Sequence, residues 1–274
     1  MYGIVTRNQS ELEWDPFDRG FYEVKDVTGR SAEPEPNAVN MVSCFADNAA
    51  EDEEGMVPVA EDGTRATREQ PYFDWSYVCP THERYREGLL DIIEEAAATS
   101  EDVRLDDIGF PRAEYCHCDR CERRFSESDF DDWQTWRANV ITEFVAQARE
   151  RVPGTLYLTV YPDPYPGHLK ARSGVDLDAL SASADQFVVP IYDTHYGTTY
   201  WLEILASGFA DRLSTPFAIE LYAANVEVDD LIHATEVARE YADDVLFGYD
   251  ASTARAALRR MTGDANEGTS YTPE

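Results

Sequence analysis

Lysine is almost absent from this 274-residue chain, which contains only Lys25 and Lys170 and takes its other cationic side chains from arginine. Its 23 basic residues stand against 54 acidic ones, so the formal net charge is -31. Nucleic acids and anionic membrane surfaces are bound through clustered Lys and Arg side chains. The scarcity of cations therefore excludes nucleic acid and membrane from the expected partners.

Long apolar runs and export signals are also missing. No apolar run approaches the ~20 residues that span a bilayer. The chain opens with neither a charged-then-apolar leader nor a twin-arginine signal. We therefore expect a cytoplasmic protein, and the sequence leaves its oligomeric state open.

The acidic composition indicates a folded protein and not a disordered one, because 43% of the residues are hydrophobic and 12% are aromatic. The excess charge must then lie on the exterior, where its self-repulsion destabilises the compact state unless salt screens it. A lysine-poor chain rich in Asp and Glu resembles the cytosolic proteins of salt-accumulating halophiles. We expect a fold that is adapted to high salt.

From Val103 onward, apolar runs of strand length alternate with helical patterns. The runs are rich in Val, Ile, Leu and Tyr, as in strands that are buried on both faces of a parallel sheet. Several end in a carboxylate or a tyrosine, and no glycine-rich loop follows any of them. These features favour an α/β TIM barrel over a dinucleotide-binding fold. The five runs are residues 103–110, 155–163, 186–193, 216–222 and 244–250.

The N-terminal third of the chain has a less regular pattern. Residues 37–48 are predicted as a strand and 81–99 as a helix, separated by a long polar loop at about 49–78 whose aromatic end we expect to fold over the barrel mouth. The first 36 residues contain two strand-like runs without a helix of normal length between them. We therefore predict one TIM (β/α)8-type barrel domain over residues 1–274, with an abbreviated or irregular first βα unit and a cysteine-rich loop at 111–125.

Three of the five cysteines, Cys116, Cys118 and Cys121, lie within six positions of one another. In a reducing compartment, such a cluster indicates a metal site sooner than disulfides. Zinc prefers tetrahedral thiolate and imidazole ligands, and the C-x-C-x-x-C spacing can place three thiolates around one ion. Cys79 is the first candidate for the fourth ligand, and a closed four-cysteine set predicts a structural zinc near the active face.

Three other residues are alternatives for the fourth position: His82, His117 and Cys44. An open three-thiolate site would instead be a catalytic one, although three thiolates donate so much charge that they make zinc a poor Lewis acid. The remaining alternative is a loop of free thiols that binds no metal.

Active sites of TIM barrels form at the C-terminal ends of the strands. Hydrolysis of a glycosidic bond needs two carboxyl groups there, one to protonate the leaving oxygen and one to act as nucleophile or base, and aromatic faces stack on sugar rings. We expect Asp106 as nucleophile or base and Glu220 or Asp193 as general acid. The candidates for substrate binding are Asp107, Asp163, Tyr192, His195, Tyr222, Tyr249 and Asp250.

Each of these strand-end acids also has a plainer explanation, as a solvated carboxylate or as a helix N-cap such as Asp250 before "ASTARAAL". Glu220 resists that explanation because "FAIELY" flanks it with apolar residues. In "RLDDIGF", two adjacent acids point to opposite sides, so that one of them faces the barrel interior or mouth. Asp193 is a stronger candidate for a site residue because His195 and Tyr196 lie beside it in the sequence.

The order of motifs over residues 39–125 resembles a known family. The strand "VNMVSCF" is followed by "CPTHERYREGLLDIIEEA", "DVRLDDIGFP" and "CHCDRCERRF". This order is similar to that of glycoside-hydrolase-like TIM barrels, in which a Cys-Pro helix start and an "LD-x-x-x-F-P" strand precede a Cys-x-Cys-x-x-Cys-x-x-x-Phe loop. The resemblance implies that Asp106 is the active-site carboxylate. Val103 and Arg104 stand where the family has a Gly-Ile-His or similar approach to that Asp.

The expected function is that of a glycoside hydrolase with a carbohydrate substrate. Two alternatives stay open. One is a non-catalytic carbohydrate-binding or scaffold barrel with a structural zinc. The other is a metal-dependent enzyme in which the cysteine cluster holds a catalytic ion.

Overall fold

The structure, a computed structural model, describes residues 1–193 and 195–268, with side chains up to residue 263. Eight parallel strands pair in the order β1-β2-β4-β5-β6-β7-β8-β9, and β9 pairs with β1 to close the sheet, which confirms the predicted TIM barrel. The short strand β3 is antiparallel to β2. The strands are β1 (Tyr2–Thr6), β2 (Arg19–Asp26), β3 (Gly29–Arg30), β4 (Val39–Ser43), β5 (Val103–Asp106), β6 (Leu156–Thr159), β7 (Gln186–Ile191), β8 (Phe217–Tyr222) and β9 (Asp244–Gly248).

Helices surround the barrel from β4 onward. They are α1 (Glu83–Thr99), α2 (Asp119–Ser126), α3 (Trp133–Arg149), α4 (His168–Ser173), α5 (Leu177–Leu180), α6 (Tyr200–Arg212), α7 (Val228–Tyr241) and α8 (Ala251–Gly268). The cysteine-rich segment, predicted as a loop, therefore ends in the short helix α2. Within the described part of the chain, no helix combines the length and the apolar character needed to cross a bilayer.

The first two strands are joined without an α-helix, so the predicted irregular first βα unit is confirmed. A 3-10 turn at Gln9–Glu11 lies between β1 and β2. The side chain of Asn8 caps this turn by accepting a hydrogen bond from the Ser10 N–H at 3.2 Å. The next connection, between β2 and β4, contains only the short strand β3.

Alternate residues of each barrel strand point into the lumen and toward the helices. A cluster of eight buried apolar side chains fills the lumen: Val5, Phe21, Val39, Met41, Tyr157, Val188, Ala218 and Leu246. On β5, the corresponding position is occupied by Arg104, whose guanidinium lies 5.9 Å from the centroid of the Phe21 ring. The lumen is therefore a packed core that contains one buried cation.

The long segment after β4 folds back against the barrel. Its Tyr77 pairs with Ala46 just beyond β4, and the buried Phe73 contacts Tyr77 with a centroid separation of 5.1 Å. Burial, and after it the charge of Asp107, raises the pKa of Tyr77. The aromatic end of this segment therefore lies beside the carboxyl ends of the strands.

Candidate active site and metal centre

A layer of polar residues lies directly above the apolar cluster of the lumen. Because side chains alternate along a strand, the residue two positions after a lumen residue again faces the lumen, one level nearer the carboxyl end. We call this level the mouth layer. It includes the polar residues Glu23, Asp106, Thr159 and Glu220, together with Gly248, which follow Phe21, Arg104, Tyr157, Ala218 and Leu246.

Arg104 connects two carboxylates of the mouth layer. Its side chain is 2% exposed, and its Nε donates hydrogen bonds to Oδ1 of Asp106 and to Oγ1 of Thr159, both at 2.9 Å. Its Nη2 lies 2.6 Å from Oε2 of Glu220. Burial lowers the pKa of Arg104, but the charges of Asp106 and Glu220 outweigh it and raise that pKa, so the guanidinium stays charged. The signal in the sequence is the spacing of two between Arg104 and Asp106, which places both side chains on one face.

Asp106 and Glu220 differ in their access to the mouth. Glu220 is fully buried, with Oε1 accepting a hydrogen bond from the Tyr192 hydroxyl and Oε2 in contact with Arg104. A Cβ atom on Gly248 would lie 2.9 Å from Oε1 of Glu220, so this glycine leaves room for the carboxylate. Asp106 is 18% exposed and bonds Arg104 through Oδ1. Among the described residues none bonds its Oδ2, which is the oxygen open to the mouth.

Asp107, which follows the end of β5, adopts a left-handed backbone conformation with a φ of 53°. The Ser43 hydroxyl donates a hydrogen bond to its Oδ2 at 2.7 Å. Burial, and after it the charge of Asp106, raises the pKa of Asp107 to about 6. This carboxyl therefore takes up a proton in mildly acidic solution.

Glu23 is a third carboxylate of the mouth that the sequence-based prediction missed. Its side chain is 8% exposed, its Oε2 accepts a hydrogen bond from Nε of Arg7, and its Oε1 accepts one from the Tyr249 hydroxyl at 3.1 Å. Burial raises the pKa of Glu23, Arg7 opposes that rise, and the charge of Asp106 adds to it. The signal in the sequence is an acid two positions after Phe21 in the apolar run "GFYEV".

A cavity of about 580 Å³ opens beside Arg7 and Tyr249, the two hydrogen-bond partners of Glu23. It is lined by Thr6, Arg7, Asn8, Glu11, Tyr222 and Tyr249. The rings of Tyr192 and Tyr222 lie 5.4 Å apart, and the guanidinium of Arg7 lies 5.7 Å from the centroid of the Tyr249 ring. The structure thus brings three of the predicted substrate-binding tyrosines to one side of the mouth.

The other predicted site residues have local partners on the rim. Asp193 is 42% exposed and accepts a hydrogen bond from the backbone N–H of His195 at 2.9 Å. Oδ2 of Asp163 lies 3.1 Å from Nδ1 of His168. Asp250 accepts a hydrogen bond at 3.0 Å from the N–H three residues later, at the start of α8. Asp250 is therefore an N-cap, in agreement with its plainer explanation.

The structure also brings together the four thiols predicted as metal ligands, Cys79, Cys116, Cys118 and Cys121. Their sulfur atoms all lie within 4.8 Å of one another, with Sγ of Cys79 at 3.4 Å from that of Cys121 and at 4.0 Å from that of Cys118. In a tetrahedral site with metal–sulfur bonds of ~2.3 Å, the sulfurs lie about 3.8 Å apart. The donor set and its spacing fit one tetrahedral metal ion.

The four thiols strongly affect one another's ionisation. Hydrogen bonds from Cys116 and Cys121 hold the pKa of Cys118 far below its usual range. Hydrogen bonding with the neighbouring thiols raises the pKa values of Cys116 and Cys121. One thiolate in the cluster therefore makes Cys116 and Cys121 keep their protons, whereas the pKa of Cys79 is lowered. A divalent cation would let all four thiols ionise, because it stabilises the thiolates together.

Polar groups around the cluster orient the ligands. Oγ1 of Thr81 lies 3.1 Å from Sγ of Cys79 and accepts a hydrogen bond from Nε of Arg120 at 3.1 Å. The backbone N–H of Val59 donates a hydrogen bond to Sγ of Cys116 at 3.4 Å. Such outer contacts fix the orientation of metal ligands. They also join the segment before α1 to the segment that leads into α2.

The alternative fourth ligands have other contacts. The ring of His82 caps α1 by accepting a hydrogen bond from the Tyr85 N–H at 3.2 Å. His117 stacks on Trp133 with a centroid separation of 4.7 Å. Cys44 is buried outside the group of four thiols. Cys79 therefore completes the best-formed ligand set within the described residues.

No protein-family model and no curated protein sequence matches this chain. Among solved structures, it is similar to the PgaB (BpsB) glycoside hydrolase domain from Bordetella bronchiseptica, with a TM-score of 0.71 and 12% identity over 94% of this chain and 97% of that one. This chain shares its barrel fold with glycoside hydrolases. It is also similar to alpha-L-fucosidase isoenzyme 2 from Paenibacillus thiaminolyticus, with a TM-score of 0.66 and 12% identity over 95% of this chain but 46% of that one. At this identity the likeness shows the fold alone.

Proposed function

We propose that this protein hydrolyses glycosidic bonds in a carbohydrate through paired carboxylates at the barrel mouth. The observation that carries the proposal is Asp106, which ends a barrel strand with one oxygen held by the buried Arg104 and the other open to the mouth. The shared fold supports it, because both structures compared above are glycoside hydrolases by name. The tyrosines beside the mouth offer aromatic faces to sugar rings.

Asp106 is the nucleophile, or the base that activates water, in this proposal. Arg104 and Thr159 hold its carboxylate in one orientation from below. A fixed carboxylate needs no further ordering when the substrate binds, which lowers the barrier to attack on the anomeric carbon. Arg104 is therefore a positioning residue.

We assign the general acid to Glu23. A general acid must hold a proton close to the bond that breaks, and burial favours the protonated form by raising the pKa of Glu23. The hydrogen-bond partners of Glu23, Arg7 and Tyr249, line the cavity beside the mouth. As the anomeric carbon–oxygen bond breaks, the Glu23 carboxyl gives its proton to the leaving oxygen while Asp106 attacks the carbon or activates the attacking water.

Glu220 and Asp193, the acids that the sequence suggests, receive other roles in this proposal. Glu220 has no exposed surface, whereas the Glu23 side chain is 8% exposed, so no substrate oxygen reaches Glu220 without rearrangement. We infer that it holds Arg104 in place beneath Asp106. Asp193 lies on the exposed rim and is assigned to substrate binding.

The Asp106→Asn variant tests the proposal. We expect kcat/KM to fall by roughly 10⁴-fold on any glycoside that the wild type cleaves, because the nucleophile or base is lost. The melting temperature should be unchanged. Asp163→Asn is the matched control, since it removes a rim carboxylate and should retain most of the activity. Full activity in Asp106→Asn would remove this residue from the mechanism.

The Glu23→Gln variant tests the assignment of the acid. We expect a loss of roughly 10²-fold or more on glycosides with poor leaving groups, and a much smaller loss on dinitrophenyl glycosides, whose leaving group needs no proton. Because the acid works only while protonated, wild-type activity should decline as pH rises through the raised pKa of Glu23, and the variant should lack that decline. If Asp107→Asn removes the decline and Glu23→Gln does not, the acid is Asp107.

We also propose that the cysteine cluster holds zinc in a structural role. Four thiolates match the preference of Zn²⁺ and leave no open coordination position for a substrate or a water molecule. When bound, the ion would crosslink the segment before α1 to that before α2. The cysteines would act as ligands only, and the chemistry would remain with the carboxylates.

Adaptation to high salt, a cytoplasmic location and the motif-level family resemblance of residues 39–125 stay predictions. The first follows from a formal charge of -31, whose self-repulsion salt would screen.

A further inference from the structure

The exposed aromatic side chains are confined to one face of the molecule. Among the residues that the structure describes, eight large hydrophobic side chains are exposed, and all but Met1 are aromatic. The seven aromatic ones are Tyr72, Tyr161, Tyr165, Tyr192, Tyr200, Trp201 and Tyr249. Each lies in a segment that follows the carboxyl end of a barrel strand, or at the helix start that closes such a segment. We call this set, together with Tyr222, the aromatic rim; it shares its face with Asp106.

Four consecutive barrel strands each bring a tyrosine to the aromatic rim. Tyr161 follows β6, Tyr192 follows β7, Tyr222 ends β8 and Tyr249 follows β9. These strands are neighbours in the sheet. At ~4.8 Å between neighbouring strands, the four cover about 15 Å of the rim. A single sugar ring covers only part of that length.

The outer members of the rim are the most exposed. Trp201 is 66% exposed and packs edge-on against Tyr200, with ring centroids 5.4 Å apart. Tyr165 is 64% exposed and contacts only the ring of His168 among the described aromatic side chains. Concentrated aromatic surface in contact with water is typical of ligand-binding sites. These rings therefore extend the rim beyond the catalytic carboxylates.

The charges between the rings decide which ligand fits. The core of a protein–protein interface is depleted of charged residues, whereas this rim places Asp163 and Asp193 among its tyrosines and lies on the same face as Asp106. Carboxylates accept hydrogen bonds from sugar hydroxyls while aromatic faces stack on the rings. An anionic polymer would be repelled by these groups and by the net charge of the chain.

We infer that the aromatic rim binds a polysaccharide chain without acidic groups, several sugars long, with successive rings stacked on successive aromatic side chains and one linkage lying over Asp106. The cleavage of that linkage rests on the proposed function, whereas the binding does not. The substrate is then a polymer and not a small glycoside.

The first test is sedimentation of the protein with insoluble polysaccharides in buffered KCl. The Asp106→Asn variant is used so that no polymer is cleaved, with cellulose, curdlan, mannan, xylan and chitin as uncharged probes and calcium alginate as the anionic control. We expect depletion from solution by at least one of the five and none by alginate. Depletion by none of the five, or by alginate alone, would overturn the inference.

The second test locates the binding on the rim. In the same background, Tyr165→Ala and Trp201→Ala should each weaken binding of the retained polymer roughly 5-fold, the value of about one aromatic contact. Tyr241→Ala on the outer helix α7 is the matched control and should bind as the parent does. Unchanged affinity in both rim variants would place any polymer binding elsewhere and overturn the inference.

The two proposals fail in distinguishable ways. Polymer binding at the rim without release of reducing ends by the wild type would retain the inference and contradict the proposed hydrolysis. Cleavage of aryl glycosides by the wild type, without polymer binding, would retain the hydrolase and overturn the inference.

Discussion

The cysteine cluster and the mouth layer both gather ionisable groups that repel one another, and they balance the charge in different ways. In the cluster, four sulfur atoms lie within 4.8 Å of one another, and our proposal balances them with an external metal ion. In the mouth layer, the guanidinium of Arg104 lies between Asp106 and Glu220 as an internal counter-charge. On this proposal the cysteine cluster takes a cation from solution, whereas the mouth layer contains its own cation in Arg104.

The difference shows why the two sites suit different tasks. In our proposal, a tetrahedral ion would bind every thiolate of the cluster, so that no ligand would remain to react and the site would serve as a crosslink. Arg104 donates a hydrogen bond to Oδ1 of Asp106 and forms an ion pair with Oε2 of Glu220. It leaves Oδ2 of Asp106 open to the mouth. A counter-charge placed on one side of a carboxylate orients it without blocking it.

The largest effect on stability is expected from the cluster. Cys118→Ser should reduce the metal content from one zinc per chain to none and lower the free energy of unfolding by about 4 kcal/mol, because a structural metal stabilises only the folded state. Elemental analysis and urea denaturation check both values.

Cys44→Ser is the matched control, because it removes a buried thiol outside the cluster. It should keep the zinc. Asp106→Asn should keep it as well. Unchanged metal content in Cys118→Ser would contradict the crosslink. Loss of turnover in that variant at unchanged stability would instead indicate a catalytic role for the cluster, and the two sites would then no longer differ in their tasks.

The next largest effect tests the internal counter-charge. Arg104→Met should lower the free energy of unfolding by about 3 kcal/mol, because it leaves the carboxylate of Glu220 buried without its partner. The double variant Arg104→Met with Glu220→Leu should recover most of that loss, since paired apolar side chains of similar volume need no counter-charge. Neither variant should change the zinc content. A double variant no more stable than Arg104→Met alone would show that the ion pair is not the source of the loss.

The smallest effect concerns Asp107, whose pKa is raised to about 6 from an ordinary value of 3.8. Between those values the folded state binds more protons than the unfolded one, so this residue makes stability fall as pH rises. Asp107→Asn should therefore be more stable than the wild type by about 2 kcal/mol above pH 6, since each pKa unit corresponds to ~1.4 kcal/mol and the residue is half-buried.

That advantage should shrink as the pH falls toward 4, where the wild-type carboxyl is protonated in the folded state. Thermal unfolding across this range is the measurement. Asp163→Asn, on the rim, should follow the wild type. A constant difference between Asp107→Asn and the wild type at every pH would assign the effect to packing and not to titration.

The cluster shows what local sequence can predict. Three ligands lie within six positions, so the chain itself holds them together, and Cys79 was identifiable because few other thiols exist. Glu23 shows the opposite case. It lies 83 positions before Asp106, and only the closing of the barrel brings β2 and β5 to the same mouth.

The pairing of Arg104 with Glu220 was equally hidden. The two residues lie 116 positions apart, and the sequence gives no reason to expect a buried arginine across the lumen. By itself, the sequence determined the alternation of strands and helices, the acidic exterior, the local thiol group and the Asp at the end of β5, because each depends on neighbours along the chain. Only the tertiary structure decided which carboxylates are buried, which are exposed and which are paired, because those properties depend on strands that meet when the barrel closes.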